Sequence, residues 1–462
     1  MPIVPGARAI CNSRAAWKCY PSFAPVTRFA LYLIFSALAT SPLAAQSPAA
    51  EPGLMDPIFS QIPFDQWLSR SDQSPIHWNV RVSEPELSPH QRLASRVDVE
   101  VDGAELVRRR GKGQFLVLVQ VSDEKGRAWQ SHQEMDLEHI EEGMKASNLV
   151  FSHLFFVLPG DYNISIAIFA SATAEHSVIK RKLHVSPLKN DPLPGAWRDL
   201  PAVELVTPEM PPDSWFLPSM QGKLRLAVET HEPVHVDLVV NLTPSERLTG
   251  SNRVQNRNLE LLLPTTKVLS QVDWGETTFS LAWLDLSTRR VIYQQDNMQG
   301  LDWSKAAGSL SELNPGMIDV KSLEKRKYTA AFFLDEIYRK IGAAKGPPPR
   351  RTPVVIILSS SVRFESGQEV HPIALDGMAD ARVYYIRYQP PPQIIFGPPS
   401  APTGRQRRRL PEGDLPVRVN SVSQTDQLEP LLKPLEPRLF EVSTPEQFRK
   451  ALATVLTEIR KL

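Results

Sequence analysis

The stretch from residue 187 to 220 constrains this chain most. It carries Pro187, Pro192, Pro194, Pro201, Pro208, Pro211, Pro212 and Pro218. Proline fixes φ and lacks the amide donor that a ladder or helix interior needs. No central strand or long helix can run through such a stretch, so the sequence on either side is expected to fold as separate domains. Trp197, Trp215 and Phe216 are the anchors that would pin it against a domain surface. The chain has 462 residues, enough for two or three domains, and 42 prolines, well above the roughly 5% background.

Before the proline-rich stretch the pattern is β. Ile76–Val82, Arg96–Val101, Gln114–Val121, Leu149–Val157, Tyr162–Phe169 and Val178–Val185 are short apolar or alternating runs. Gly, Pro and Asp turns separate them, which predicts an antiparallel, Ig-like β-sandwich over 76–186. Residues 46–75 form a polar lead with one short helical candidate, Phe64–Leu68. His132, His139 and His153 fall on different elements and read as surface or packing residues.

After it, strands alternate with helical patterns. Val234–Val240 is an almost wholly apolar run, as expected of a strand covered on both faces. Thr277–Asp285, Arg290–Gln294, Pro353–Leu358, Ala381–Tyr388 and Arg438–Val442 follow as strands. Asn258–Val272, kinked or broken at Pro264, and Val320–Ile341 read as helices, with a shorter one at Asp426–Leu432. The last helix starts with Thr444, Pro445 and Gln447, a capping-box pattern. Strand–helix alternation predicts a mainly parallel sheet wrapped by helices over 231–462, with 187–230 as linker.

The N-terminus has the form of an export signal. Arg8, Arg14, Lys18 and Arg28 precede the apolar core Phe29–Ala39, and Leu43-Ala44-Ala45 is a plausible cleavage site. The core is shorter than the ~20 residues a membrane helix needs. Residues 1–45 are therefore expected to direct export to the periplasm or the exterior. The only cysteines, Cys11 and Cys19, lie within this segment. Disulfides and cysteine-based zinc sites are thus excluded from the rest. A net charge of +1 gives no reason to expect nucleic acid.

Candidate chemistry gathers at the end of Val234–Val240. Asn241, Thr243 and Ser245 put three oxygen-bearing side chains on one turn, where open α/β sheets carry ligands. The spacing resembles the Asp-x-Ser-x-Ser signature of von Willebrand factor type A domains. VDLVVNLTPSER, PVVIILSSS, ARVYYIRYQ and PRLFEVSTPEQFRKALATVL resemble, more closely, the von Willebrand factor A-related proteins abundant in Acidobacteria. That resemblance implies an exported protein with an α/β A-type domain that binds a partner. It also implies that Asn241, Met317 and Ser360 stand where the cation-binding form has Asp, Thr and Asp. Magnesium prefers anionic oxygen ligands. The expected site is thus a degenerate adhesion loop with no metal and no other cofactor.

Other groups suggest less. Ser359-Ser360-Ser361 at a strand end would suit a hydrolase nucleophile, but the glycines and histidine of a nucleophile elbow are missing. His231 and His235 do not converge on strand spacing. The sequons at Asn163 and Asn241 fall in or beside predicted strands. Gln389–Leu415 is far longer than a usual ~4–6-residue connection. It holds Arg405, Arg407, Arg408 and Arg409, which suit an anionic envelope polymer or lipid surface. The reading as a whole is an exported, non-enzymatic binding or scaffold protein with a protein partner. The alternatives are a metal-dependent adhesion domain with an atypical site and a serine hydrolase.

Overall fold

The computed structural model describes residues 55–69, 76–111, 113–206, 220–243, 253–275, 277–298, 300–310, 313, 326–344, 351–364, 367–370, 380–389 and 426–462. The chain begins with α1 (Ile58–Gln61), α2 (Phe64–Ser69), β1 (Trp78–Val82), β2 (Glu86–Leu87), β3 (Leu93–Asp102) and α3 (Gly103–Arg108). β4 (Gln114–Asp123), β5 (Ala128–Asp136), β6 (Asn148–Val157), β7 (Gly160–Ala170), β8 (Glu175–Val185), β9 (Val203–Leu205) and β10 (Leu226–Ala227) follow. Next come β11 (Val234–Asn241), α4 (Arg253–Leu269), β12 (Val272–Asp273), β13 (Thr278–Asp285), β14 (Arg290–Met298) and α5 (Trp303–Leu310). The last elements are α6 (Thr329–Ala344), β15 (Thr352–Ser360), β16 (Arg382–Tyr388), α7 (Leu428–Leu432), β17 (Arg438–Val442) and α8 (Pro445–Ile459).

These elements form two units. One takes residues up to Glu84, Ser95–Phe155 and Pro159–Val185; the other takes Pro85–Ala94, Phe156–Leu158 and Ser186–Leu462. In the first unit, β4 is flanked by β5 and β7, with β8 outside β7, all antiparallel. β1 and β3 pair antiparallel in another sheet. Alternation sends Val97, Val99, Val101, Val117, Val119, Ile164 and Ile166 to buried faces, all at 0% exposure. The lead segment is part of this unit. Phe59, Phe64 and Trp67 of α1 and α2 pack on Leu116, Leu118, Ala167 and Val178, and Trp67 stacks on His176.

The second unit is built on a six-stranded sheet in the order β14-β13-β11-β15-β16-β17. Alternation divides β11 between two cores. Val234, Val236, Leu238 and Val240 face one core, with α4 and α8 against it; Val239 faces the other, with α6 and α7. Pro264 lies inside α4, which runs through it. The hydroxyls of Thr265 and Thr266 donate to the carbonyls of Leu261 and Leu262, each at 2.7 Å, adding bonds next to the proline. Helix α6 begins at Thr329, after a 3-10 turn at Arg326–Tyr328; the expected start at residue 320 lies outside the described residues.

The predicted α/β von Willebrand factor A-like domain with a mainly parallel sheet is corrected by these pairings. The sheets of β1–β8 are antiparallel, and the six-stranded sheet is mixed. Within it β11 pairs parallel with β13 and β15, as do β15–β16 and β16–β17, but β13 and β14 run antiparallel. A wholly parallel sheet occurs, among the described residues, only as the two-residue ribbon β10–β12. The cause at β14 is the connection. Only residues 286–289 join β13 to β14, and Arg289 has φ 53°. That suits a hairpin, whereas a parallel crossover needs a dozen residues or more.

The segment after β8 belongs to the second unit and is tied to α8. Arg449, buried, donates from Nε and Nη2 to the two carboxylate oxygens of Asp191 at 2.6 and 2.8 Å, and from Nη2 to the Leu193 carbonyl at 2.9 Å. Its guanidinium lies 4.8 Å from the Trp197 ring centroid, and Trp197 Nε1 donates to the Gln91 carbonyl at 2.7 Å. Buried Arg92 pairs with Glu204 at 2.6 Å. Glu204 also accepts from the amides of Gln221 and Gly222. A Cβ at Gly222 would lie 2.7 Å from Pro201, so the close approach needs glycine.

Candidate functional site

The six-stranded sheet reverses its strand order at β11. From β11 the chain goes to β13 on one side, and later places β15 on the other. The carboxyl ends flanking such a switch point are where open α/β sheets hold ligands. Asn241 and Ser359 end β11 and β15 there. Asn241 is the last residue of β11 rather than a loop residue, fully buried, and its Nδ2 donates to Ser359 Oγ at 2.9 Å. Ser359 Oγ in turn donates to the Ser360 carbonyl at 2.6 Å. The switch point is closed by a side-chain bond between its two strands.

Further bonds extend this closure to β13. The amide of Thr243 donates to Asn241 Oδ1 at 3.1 Å. Thr243 Oγ1 donates to Asp285 Oδ1 at 3.4 Å and accepts from the Leu286 amide at 2.5 Å. Asp285, at the end of β13, also accepts from the Ser287 amide and from the hydroxyls of Ser287 and Thr288. Its oxygens are engaged by the turn that reverses β13 into β14.

On the β16 side the rim carries charge. Asp426 is buried and accepts from Tyr385 Oη at 2.9 Å, from Arg387 Nη1 at 3.3 Å, and from the amides of Val362, Leu428 and Glu429. Arg387 also meets Glu429 at 2.8 Å and Glu441. Burial, with Asp426 alongside, pushes the Tyr385 phenol well above its usual range, so it stays a neutral donor. One guanidinium thus serves three carboxylates.

The predicted site residues separate in the structure. Asn241 and Thr243 come together. Ser360 does not join them: strand alternation puts it on the opposite face, in register with Tyr388, where it is buried. Ser359 is the serine on the Asn241 side, which corrects the expected equivalence. Ser245, Met317, Arg405, Arg407, Arg408 and Arg409 lie outside the described residues, as does His371. Sequence reasoning missed Asp285, Asp426 and Arg387. Asp285 closing a strand before Ser287 and Thr288 is a readable turn signal, whereas Asp426 follows a long segment that hides its proximity.

A second polar group lies at the other end of the same face. Asp237 Oδ2 is 3.1 Å from His235 Nε2, and Oδ1 is 3.1 Å from Lys340 Nζ of α6. Lys340 also reaches Asp296 at 3.0 Å, and His235 Nδ1 meets Thr278 Oγ1, which accepts from Arg351 at 2.7 Å. The ammonium occupies the position between two carboxylates that a cation ligand would take. No group of three or more metal-ligating side chains is assembled among the described residues.

No protein-family model matches the chain, and no curated protein matches it. Among solved structures, Northeast Structural Genomics Consortium target SoR45 is 8% identical, covering 26% of this chain and 96% of its own, with a TM-score of 0.16. The putative ApaA protein from Bordetella pertussis is 7% identical, covering 26% of this chain and 100% of its own, also with a TM-score of 0.16.

Proposed function

We propose that this chain is an exported, non-enzymatic binding protein that engages a protein partner at the carboxyl rim of its six-stranded sheet. The observation that carries this reading is the Asn241–Ser359 bond across the switch point. It uses the rim's hydroxyl and amide internally and ties together the strand ends from which the connections leave. Those after β11, β15 and β16 cover residues 242–252, 361–381 and 389–427, and all leave neighbouring strands. Long connections on a rigid scaffold are where binding residues concentrate. No metal enters this reading: amides and hydroxyls bonded to one another offer poor ligands for magnesium. Export rests on the signal-like residues 1–45. The Arg405–Arg409 stretch leaves an anionic envelope surface as a further contact.

The test is recovery of a partner from the native envelope by affinity pull-down. Deleting Pro398–Pro411 should reduce recovery while leaving the melting temperature nearly unchanged. Recovery unchanged by this deletion and by replacement of residues 244–250 would refute the rim. Labelling of Ser359 or Ser360 by a serine-directed activity probe would instead support a hydrolase.

A further inference from the structure

We propose that the outer face of the β4–β7–β8 sheet is a second binding site, for an acidic polysaccharide. The site lies wholly in the first unit and does not depend on the rim. Half of this face is covered: α1 and α2 sit on Leu116, Leu118, Ala167 and Val178. Following the same strands onward by alternation, the face turns polar. It presents Gln120 and Ser122 of β4, Asn163 of β7, and Lys180 and Lys182 of β8. Register aligns Lys182 with Asn163, and Asn163 with Ser122.

The positive charge of this half comes from β8. Lys180 and Lys182 are both exposed on β8, the last strand of its sheet, whereas Arg181, in register with Ile164, falls on the opposite face. Lys180 donates to the Leu68 carbonyl at 2.8 Å, at the end of α2, and so borders the covered half. His184 is matched by Asp161 at 2.7 Å. Lys182 forms no ion pair among the described residues.

The floor beside them suits hydroxyl groups. Gln120 Oε1 accepts from Gln130 Nε2 at 2.7 Å, which orients the amide and leaves its own Nε2 to donate. Ser122 Oγ bonds to the Asn163 carbonyl at 3.3 Å, leaving the Asn163 side-chain amide at the surface. Lysines on an edge strand also discourage edge-to-edge pairing. That role needs only charge. Oriented amides next to the cations are what a carboxylated sugar requires: ammonium for the carboxylate, amides for the hydroxyls.

Purified chain would be passed over immobilised polygalacturonate, with neutral dextran and dextran sulfate as comparisons. Polygalacturonate should retain the protein in a salt-dependent way and neutral dextran should not. A K180E/K182E variant should bind about tenfold more weakly, and a Q120A/N163A variant should lose a smaller part of the affinity. Unchanged circular dichroism and melting temperature would show that both variants are folded. Absence of retention at low salt overturns the proposal. So does equal retention on dextran sulfate with no effect of Q120A/N163A, which would mean charge alone. A loss caused instead by replacing Arg405, Arg407, Arg408 and Arg409 with serine would place the binding elsewhere and overturn it too.

Discussion

Arg449 concentrates more structure than any other charged side chain described. Burial works against ionisation of Asp191, but the hydrogen bonds from Arg449 outweigh it and hold that carboxyl below its usual range. Arg449→Ala would leave a half-buried carboxylate, two carbonyls and the Trp197 face without their partner. Breaking a buried pair by removing one member costs about 3–5 kcal/mol, and denaturant unfolding should show a loss of that order. Lysine, lacking the planar fork, should restore only part. A second residue-scale expectation concerns acid. Burial lowers His153 from 6.5 to about 4, with His132 adding to the effect. The unfolded chain takes up this proton below pH 6.5 while the folded chain does not until about 4. Stability is therefore lost as pH falls through that window, and H153Q should flatten the melting-temperature profile between pH 6.5 and 4. Arg449 itself is hard to read in the sequence. Its partner lies 258 positions away, and an amphipathic helix shows only that position 449 is near the buried face, not what it meets. Trp197 is more legible, because an aromatic in a proline-rich stretch has few other uses.

Among the elements, those with local chemistry are the ones the sequence announces. Helix α8 opens on a capping box: Thr444 accepts from the Gln447 amide, and Gln447 Oε1 accepts from the Thr444 amide. Thr444→Ala should cost about 1 kcal/mol in thermal or denaturant unfolding, and Thr444→Ser much less. β11 is legible for a related reason, since a run of apolar residues leaves it nowhere but the centre of a sheet. Direction is another matter. Apolar pattern carries no sign, so β14 reads as a strand without revealing that it is antiparallel to β13. The shortness of residues 286–289 holds that information. Pro264 misleads in the opposite sense: a proline reads as a break, yet α4 continues through it, with Leu262 and Leu263 fully buried in the core beneath. The lead segment is similar. Its polarity hides three aromatics that cover one sheet face, so removing residues 55–69 should lower the melting temperature of the first unit and increase binding of a hydrophobic dye.

For the whole molecule, the candidate rim was half visible. Asn241 and Thr243 stand out because a polar pair ending an apolar strand has a job to do; Asp285 and Asp426 come from distant positions that only the sheet order brings to the same edge. Titration calorimetry with magnesium or manganese should show no affinity better than millimolar, because Asn241 and Ser359 satisfy each other. Micromolar binding would require carboxylates outside the described residues. The interleaving of the two units has a further consequence, for the order in which the protein can be finished. Residues 85–94 belong to the second unit although the strands that follow them belong to the first. During synthesis Gln91 and Arg92 emerge early, yet Glu204 and then Arg449 must follow before their bonds can form. Long-range closure of this kind slows folding. The second unit stays open until its final helix has been made, and a cut at the prolines after β8 would part most of it from its own residues 85–94.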